Sequence, residues 1–240
     1  MGRVSAVSAL YDARLEFMLG VKAMLPMLLG AVPFGVAYGA LGLASGLGAL
    51  SVLGMSSVVF AGSAQIVAVQ LFNAAAPVAV MLVTILMVNL RHVLYSASLN
   101  PKLKRLSSRW KWILSYFLTD EAYAVTIIHY DKNSASLNNH WFFLGAGVTM
   151  WSAWQASTAI GVFVGTVIPK NLPLDFAITL TFIALLIPML KDRTNVVVSV
   201  TAGIVAFSTL NLPFRLNLII AVIFAVGVGL SVDWFERNRR

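Results

Sequence analysis

None of the 240 residues is a cysteine, so disulfides, iron–sulfur clusters and thiolate-bound metals are excluded. Charge is scarce as well: Asp, Glu, Lys and Arg make up 11% of the chain, well under the roughly 25% of an ordinary soluble domain. Histidine occurs only as His92, His129 and His140, whose spacing matches no common metal signature. P-loop, GxSxG, HExxH and GxGxxG patterns are missing, which leaves ATP hydrolysis, serine hydrolysis and zincin chemistry without local support. No cofactor is implied. The first twenty residues hold Arg3, Asp12, Arg14 and Glu16 and lack a continuous apolar region or cleavage pattern, so no removable signal peptide is expected.

What is present is apolar. Hydrophobic residues make up 59% of the chain, and the mean hydropathy is +0.86. Long apolar runs without strict alternation select helices over a barrel, because a bilayer offers no water to satisfy free backbone groups. The expected fold is all-α: a polytopic α-helical membrane protein with about six to eight membrane segments, some of them broken or re-entrant. The +8 formal charge is spread over short flanks of apolar runs, with five cations between Lys102 and Lys111. That is a positive-inside pattern rather than a basic domain, so membrane lipid and not nucleic acid is the expected environment.

Apolar segments are expected at about 23–44, 47–72, 77–99, 110–130, 141–165, 174–190, 196–210 and 216–232. Together they form one integral-membrane domain over 1–240, with 1–22 as an interfacial or cytoplasmic segment and 233–240 as a polar tail. Gly35-xxx-Gly39 and Gly42-xxx-Gly46 offer close-packing faces, while Pro26 and Pro33 can interrupt the first segment. Crossing by every segment would put the N-terminus and the basic Lys102–Lys111 stretch on opposite sides. At least one of the first three segments is therefore expected to be re-entrant or half-spanning, and the candidate is the second, interrupted by the small and polar SSVVFAGSAQ run, Ser56 to Gln65.

The polar groups inside these runs mark a candidate site. Asn89, Arg91 and His92 lie within the third segment, where a charged side chain must face a cavity or a partner rather than lipid. Snorkelling is the competing reading for Arg91, since only about eight residues, roughly 12 Å of helix, separate it from the basic loop. Asp120 and Glu121 lie in the fourth segment. One could pair with Arg91 and the other carry a proton, or both could serve a structural network. Around Gly62 and Ser63, the free amides of a half-helix could receive a carboxylate, with Gln65 and Asn89 completing the hydrogen bonding. Gly62, Ser63, Gln65, Asn89 and Arg91 are thus candidate substrate-binding residues, and His92, Asp120 and Glu121 candidates for proton coupling or ion pairing. Trp151, Trp154 and Gln155 lie deep in the fifth segment, where packing is the expected role of the aromatics. These residues point to a membrane transporter with a polar site in mid-membrane. A channel or ion carrier, or an integral-membrane enzyme using Asp120, Glu121 and His92 as acid and base, stays open.

The small-residue run after Pro33, FAGSAQ at Phe60 to Gln65, NLRHVLYSASLNP at Asn89 to Pro101 and TDEAYA at Thr119 to Ala124 resemble the AzlC (azaleucine-resistance) family, the large subunits of branched-chain amino-acid exporters. The resemblance implies a multi-pass protein of the bacterial inner membrane. Such a protein would export leucine, isoleucine, valine and methionine by proton-coupled secondary transport, without enzymatic conversion, beside a small multi-helix AzlD-type membrane subunit.

Overall fold

The computed structural model describes residues 2–132, 138–167, 190, 193–212 and 216–238. These residues are almost entirely helical, as the apolar runs require. Helix α1 (Gly2–Met24) passes through a 3-10 turn at Leu25–Met27, which takes up Pro26, into α2 (Leu28–Ala44), which contains Pro33. Then come α3 (Ala49–Val59), α4 (Gly62–Asn73), α5 (Val78–Leu103), α6 (Ser108–Tyr116), α7 (Asp120–Lys132) and α8 (Asn139–Val167). Two further helices follow, α9 (Arg193–Ser208) and α10 (Leu216–Asn238). Apart from Leu190, the expected sixth segment lies outside the described residues.

Among the described residues, Ala13–Ala44 and Val78–Leu103 are long and apolar enough to cross a membrane. At 32 and 26 residues they extend roughly 48 and 39 Å, more than the ~30 Å hydrocarbon core. The outer face of α5 is apolar yet bare, with Leu94 71% exposed, as a lipid-facing surface must be.

The chain packs as two units. One comprises Met1–Ile66 and Val88–Leu172, the other Val67–Met87 and Pro173–Arg240. In the second, α9 and α10 pair antiparallel, with Asn217 Nδ2 bonding to the Ala206 carbonyl and Gly229 lying against Val198.

In the first unit, α1 and α2 run parallel to α8 at backbone distance. A Cβ at Gly20 would strike the Phe142 carbonyl, one at Gly39 the Thr158 carbonyl, and one at Gly161 the Val36 carbonyl. Small residues permit this approach, which is how helices associate where the hydrophobic effect offers no drive. Gly35 and Gly39 are part of that face. Gly46 is not: it lies in the α2–α3 turn at φ 84°, and nothing comes within 4 Å of where a Cβ would stand. One turn before Gly20 on α1, Glu16 pairs with His129 of α7 at 2.8 Å, and the His129 ring stacks on Phe142 of α8 at 3.8 Å.

The remaining helices form two hairpins that enter from opposite ends of α8. Helix α3 runs antiparallel to α2 and α8, with Tyr38 Oη bonding to the Val52 carbonyl and Ser56 Oγ 3.0 Å from Thr158 Oγ1. The chain breaks at Phe60 and Ala61, and the start of α4 turns back: Gly62 lies against Phe34 and Trp154, Gln65 beside Tyr38. The SSVVFAGSAQ run thus has the form of a hairpin, broken at Phe60–Ala61 with its second arm turned back, the form expected of a re-entrant segment. Helices α6 and α7 do the same from the other end. Arg91, Tyr95 and Lys102 of α5 meet Asp120, Tyr123 and Asp131 of α7 in that order, so α7 runs parallel to α5 and α6 antiparallel to it. The expectation of a fourth segment forming one helix with Asp120 and Glu121 at its centre is therefore corrected. Both acids occupy the first turn of a half-helix.

Candidate functional site

Each hairpin tip has a physical cause. Phe60 ends α3 in the left-handed region (φ 43°, ψ 45°), a conformation costing a non-glycine residue roughly 1–2 kcal/mol, and its buried ring packs 5.9 Å from Tyr116. The break frees carbonyls at the end of α3, and side chains of other elements satisfy them. Tyr116 Oη donates to the Ser57 carbonyl at 2.5 Å and Gln155 Nε2 to the Ser56 carbonyl at 3.1 Å. Ser57 Oγ donates to Gln155 Oε1, and Trp151 Nε1 to Tyr116 Oη at 2.7 Å. Irregular backbone is tolerated at membrane depth under this condition only. In the second hairpin, Thr119 caps α7, its Oγ1 accepting the Ala122 N–H at 3.2 Å, and the acids of the first turn complement the helix dipole.

The tips meet beside Trp154, near the middle of α8, and Arg91 joins them. Its Nη1 lies 2.7 Å from Asp120 Oδ2 and its Nη2 donates to Ser63 Oγ at 2.6 Å. One guanidinium therefore binds the N-terminal turns of α4 and α7 at once, using the fork geometry that Lys lacks. Arg91 does not snorkel toward the basic loop.

Around this bridge is a cavity of about 70 Å³. Gly62, Ser63, Arg91, His92, Asp120 and Glu121 all line it, so six of the eight residues singled out from the sequence share one space. Its apolar wall comes from Phe34, Phe60, Met150 and Trp154. Gln65 is fully buried beside Tyr38, and Asn89 offers its carbonyl 3.2 Å from His92 Nδ1; neither lines the cavity. Asp120 and Glu121, successive residues pointing about 100° apart, both line it because the cavity lies at the start of α7 rather than along one of its faces.

Several residues of the site are silent in the sequence. Trp154 reads there as packing, and nothing singles out Phe34, Thr119, Met150 or Tyr116. For Thr119 a signal exists: a Thr followed directly by two acids marks a helix start. For Phe34, Tyr116 and Met150 no local signal exists, since their place depends on which helices become neighbours.

A model of the AzlC protein family matches residues 26–168, a span that takes in both hairpins and every residue lining the cavity. The chain belongs to the AzlC family. An uncharacterized membrane protein of Archaeoglobus fulgidus is 33% identical over 202 residues, 82% of this chain and 86% of the relative. The inner membrane protein YgaZ of Escherichia coli is 27% identical over 80% of this chain and 82% of its own. The branched-chain amino acid transport protein AzlC of Bacillus subtilis is 31% identical over 71% of this chain and 67% of its own. No solved structure matches the chain. Family membership and the exposed apolar helices together make this an all-α membrane protein.

Proposed function

We propose that this AzlC-family chain exports branched-chain amino acids, moving leucine, isoleucine, valine and methionine unchanged across a bacterial inner membrane. It works by proton-coupled secondary transport with a small AzlD-type subunit beside it. The observation that carries the reading is the Arg91 bridge between two opposed half-helix tips in a partly polar cavity. The name of the Bacillus subtilis relative supports the substrate class.

The bridge explains how a zwitterion is received. An amino acid carries one negative and one positive group, so it can insert between Arg91 and Asp120 with the local charge unchanged. Its carboxylate takes the place of Asp120 on Arg91, beside the amides of Gly62 and Ser63, and its ammonium takes Asp120 or Glu121. Glu121 and His92 stand next to the exchange and carry the coupled proton. Gln65 and Asn89 steady the wall from behind. The aliphatic side chain lies on Phe34, Phe60, Met150 and Trp154. Such an apolar wall separates Leu from Val by only about 1–3 kcal/mol per methylene, which accounts for breadth across aliphatic substrates.

Efflux of labelled leucine from loaded vesicles, with and without the small subunit, tests the reading. Loss of efflux in Arg91→Ala, with normal membrane insertion, is the expected result. Wild-type efflux from that variant would overturn the site, and stepwise currents in a planar bilayer would identify a channel instead.

A further inference from the structure

The five cations from Lys102 to Lys111 have no acid among them, and the central cavity uses none of them. Beside them a second, larger opening of about 180 Å³ separates the end of α5 from α6. Ser96, Leu99, Asn100 and Leu103 line it from α5, a stripe at i, i+3, i+4 and i+7. Lys111, Leu114, Ser115 and Leu118 repeat that spacing on the returning arm, and Phe143 of α8 forms the floor. Leu99, Leu114 and Phe143 are each 1% exposed, so the cleft is bottomed by packed apolar groups.

The cleft is amphipathic along its length. Lys111 stands at one end, its Nζ donating to the Lys104 carbonyl at 3.2 Å; an ammonium has three N–H groups, and one such bond leaves donors for an anion. Leu118 lies at the other end, about 10 Å further along the chain direction of α6. Tryptophans fix the level of the cationic end. Trp110 packs edge-on against Trp141 at 4.9 Å, and Trp112 is 76% exposed, the arrangement of an aromatic belt at the headgroup region. A cationic rim at the headgroups with an apolar trough leading toward the hydrocarbon matches the shape and charge of one class of molecule.

We propose that the α5–α6 cleft binds an anionic phospholipid. Its phosphate and headgroup lie on Lys111, within the field of Lys104, Arg105 and Arg109, and one acyl chain lies along Leu103, Leu99, Leu114 and Leu118. A free phosphate would use the rim and leave the trough unfilled; a zwitterionic lipid would fill the trough without using the rim. Leu118 immediately precedes Thr119, which lines the central cavity, so the bound chain props the tip of the second hairpin. The proposal depends on the membrane setting and not on the transport reading.

The test uses the purified full-length chain in detergent, titrated with phosphatidylglycerol or phosphatidylcholine carrying brominated acyl chains, and read by quenching of tryptophan fluorescence. Phosphatidylglycerol is expected to bind several-fold more tightly. Lys111→Gln should weaken it roughly fivefold, the worth of one cation near an anionic surface, and leave phosphatidylcholine unchanged. Ser115→Phe, which fills the trough from an exposed position, should weaken both lipids, while Lys22→Gln, a cation on α1, should alter neither. Equal quenching by the two lipids in the wild type would overturn the proposal. So would an undiminished phosphatidylglycerol preference in both variants, or loss of all quenching when the small membrane subunit is co-purified, which would mark the cleft as a protein interface. If Lys111→Gln fails to fold, a salt series on the wild type decides: a phosphatidylglycerol advantage that fades with salt supports the site, and one indifferent to salt refutes it.

Discussion

Arg91 and Asp120 lie 29 positions apart in the chain, and their side chains meet at 2.7 Å where two half-helices point their N-termini at each other. The same guanidinium reaches Ser63 at 2.6 Å, so a single residue of α5 links hairpins that enter from opposite ends of the bundle. Arg91→Ala is expected to abolish efflux, and Arg91→Lys to retain a small part of it, because an ammonium carries the charge without the planar fork. Arg91→Ala combined with Asp120→Asn should cost little more than either change alone, since both remove the same bridge. Efflux rates from the wild type and these four variants at matched insertion check this; additive losses would separate the two residues.

Gly62 is the point at which the site tolerates no side chain. A Cβ there would lie 2.6 Å from Trp154 and 2.9 Å from Phe34, in the apolar wall of the cavity. Gly62→Ala is expected to cut transport at least tenfold while the protein still inserts. Gly54→Ala, where nothing lies within 4 Å, is expected to be silent. Equal activity of the two variants would show that the wall yields.

Tyr116→Phe should loosen the first hairpin without touching the cavity. It removes the donor to the Ser57 carbonyl and the acceptor for Trp151, two bonds that lipid cannot replace. A loss of roughly 1–3 kcal/mol, read as a lower midpoint in thermal unfolding, is expected.

Glu16→Gln should also lower that midpoint. The change leaves His129 facing an amide in a place where each side chain is only 13% exposed, and it unties α1 from α7. An unchanged midpoint would show that the pair is dispensable.

The hairpin topology makes a prediction that uses the natural lack of cysteine. Single cysteines at Ser107, in the α5–α6 turn, and at Asn138, before α8, should react with a membrane-impermeant thiol reagent from the same side. Ser45, in the α2–α3 turn, should react from the other. A through-crossing α6–α7 would place Ser107 and Asn138 on opposite sides.

How far the sequence is legible varies from element to element. Ser56 to Gln65 reads as a break because small and polar residues in mid-membrane make a poor continuous helix, and the balance of positive charge says that some segment turns back. The break at Phe117 to Thr119 is marked only by a Thr followed by two acids, and inside a run long enough to cross a bilayer Asp120 and Glu121 read instead as the middle of a helix. Gly35 and Gly39 announce close packing, but which helix they pack against has no local trace. Only the fold shows α8, more than a hundred residues away, as the neighbour.

Composition by itself determined that the chain lies in a membrane and is helical, because so apolar a chain can hide its backbone polar groups from lipid in few other ways. It also determined that Arg91 needs company, since a lone cation is too costly in hydrocarbon. Tertiary structure decided the company: two hairpins entering from opposite ends bring Ser63 and Asp120 to one guanidinium. That choice depends on contacts between residues far apart in the chain, made possible by glycines that let backbones touch and by Tyr116 and Gln155, which satisfy the carbonyls left free where α3 ends.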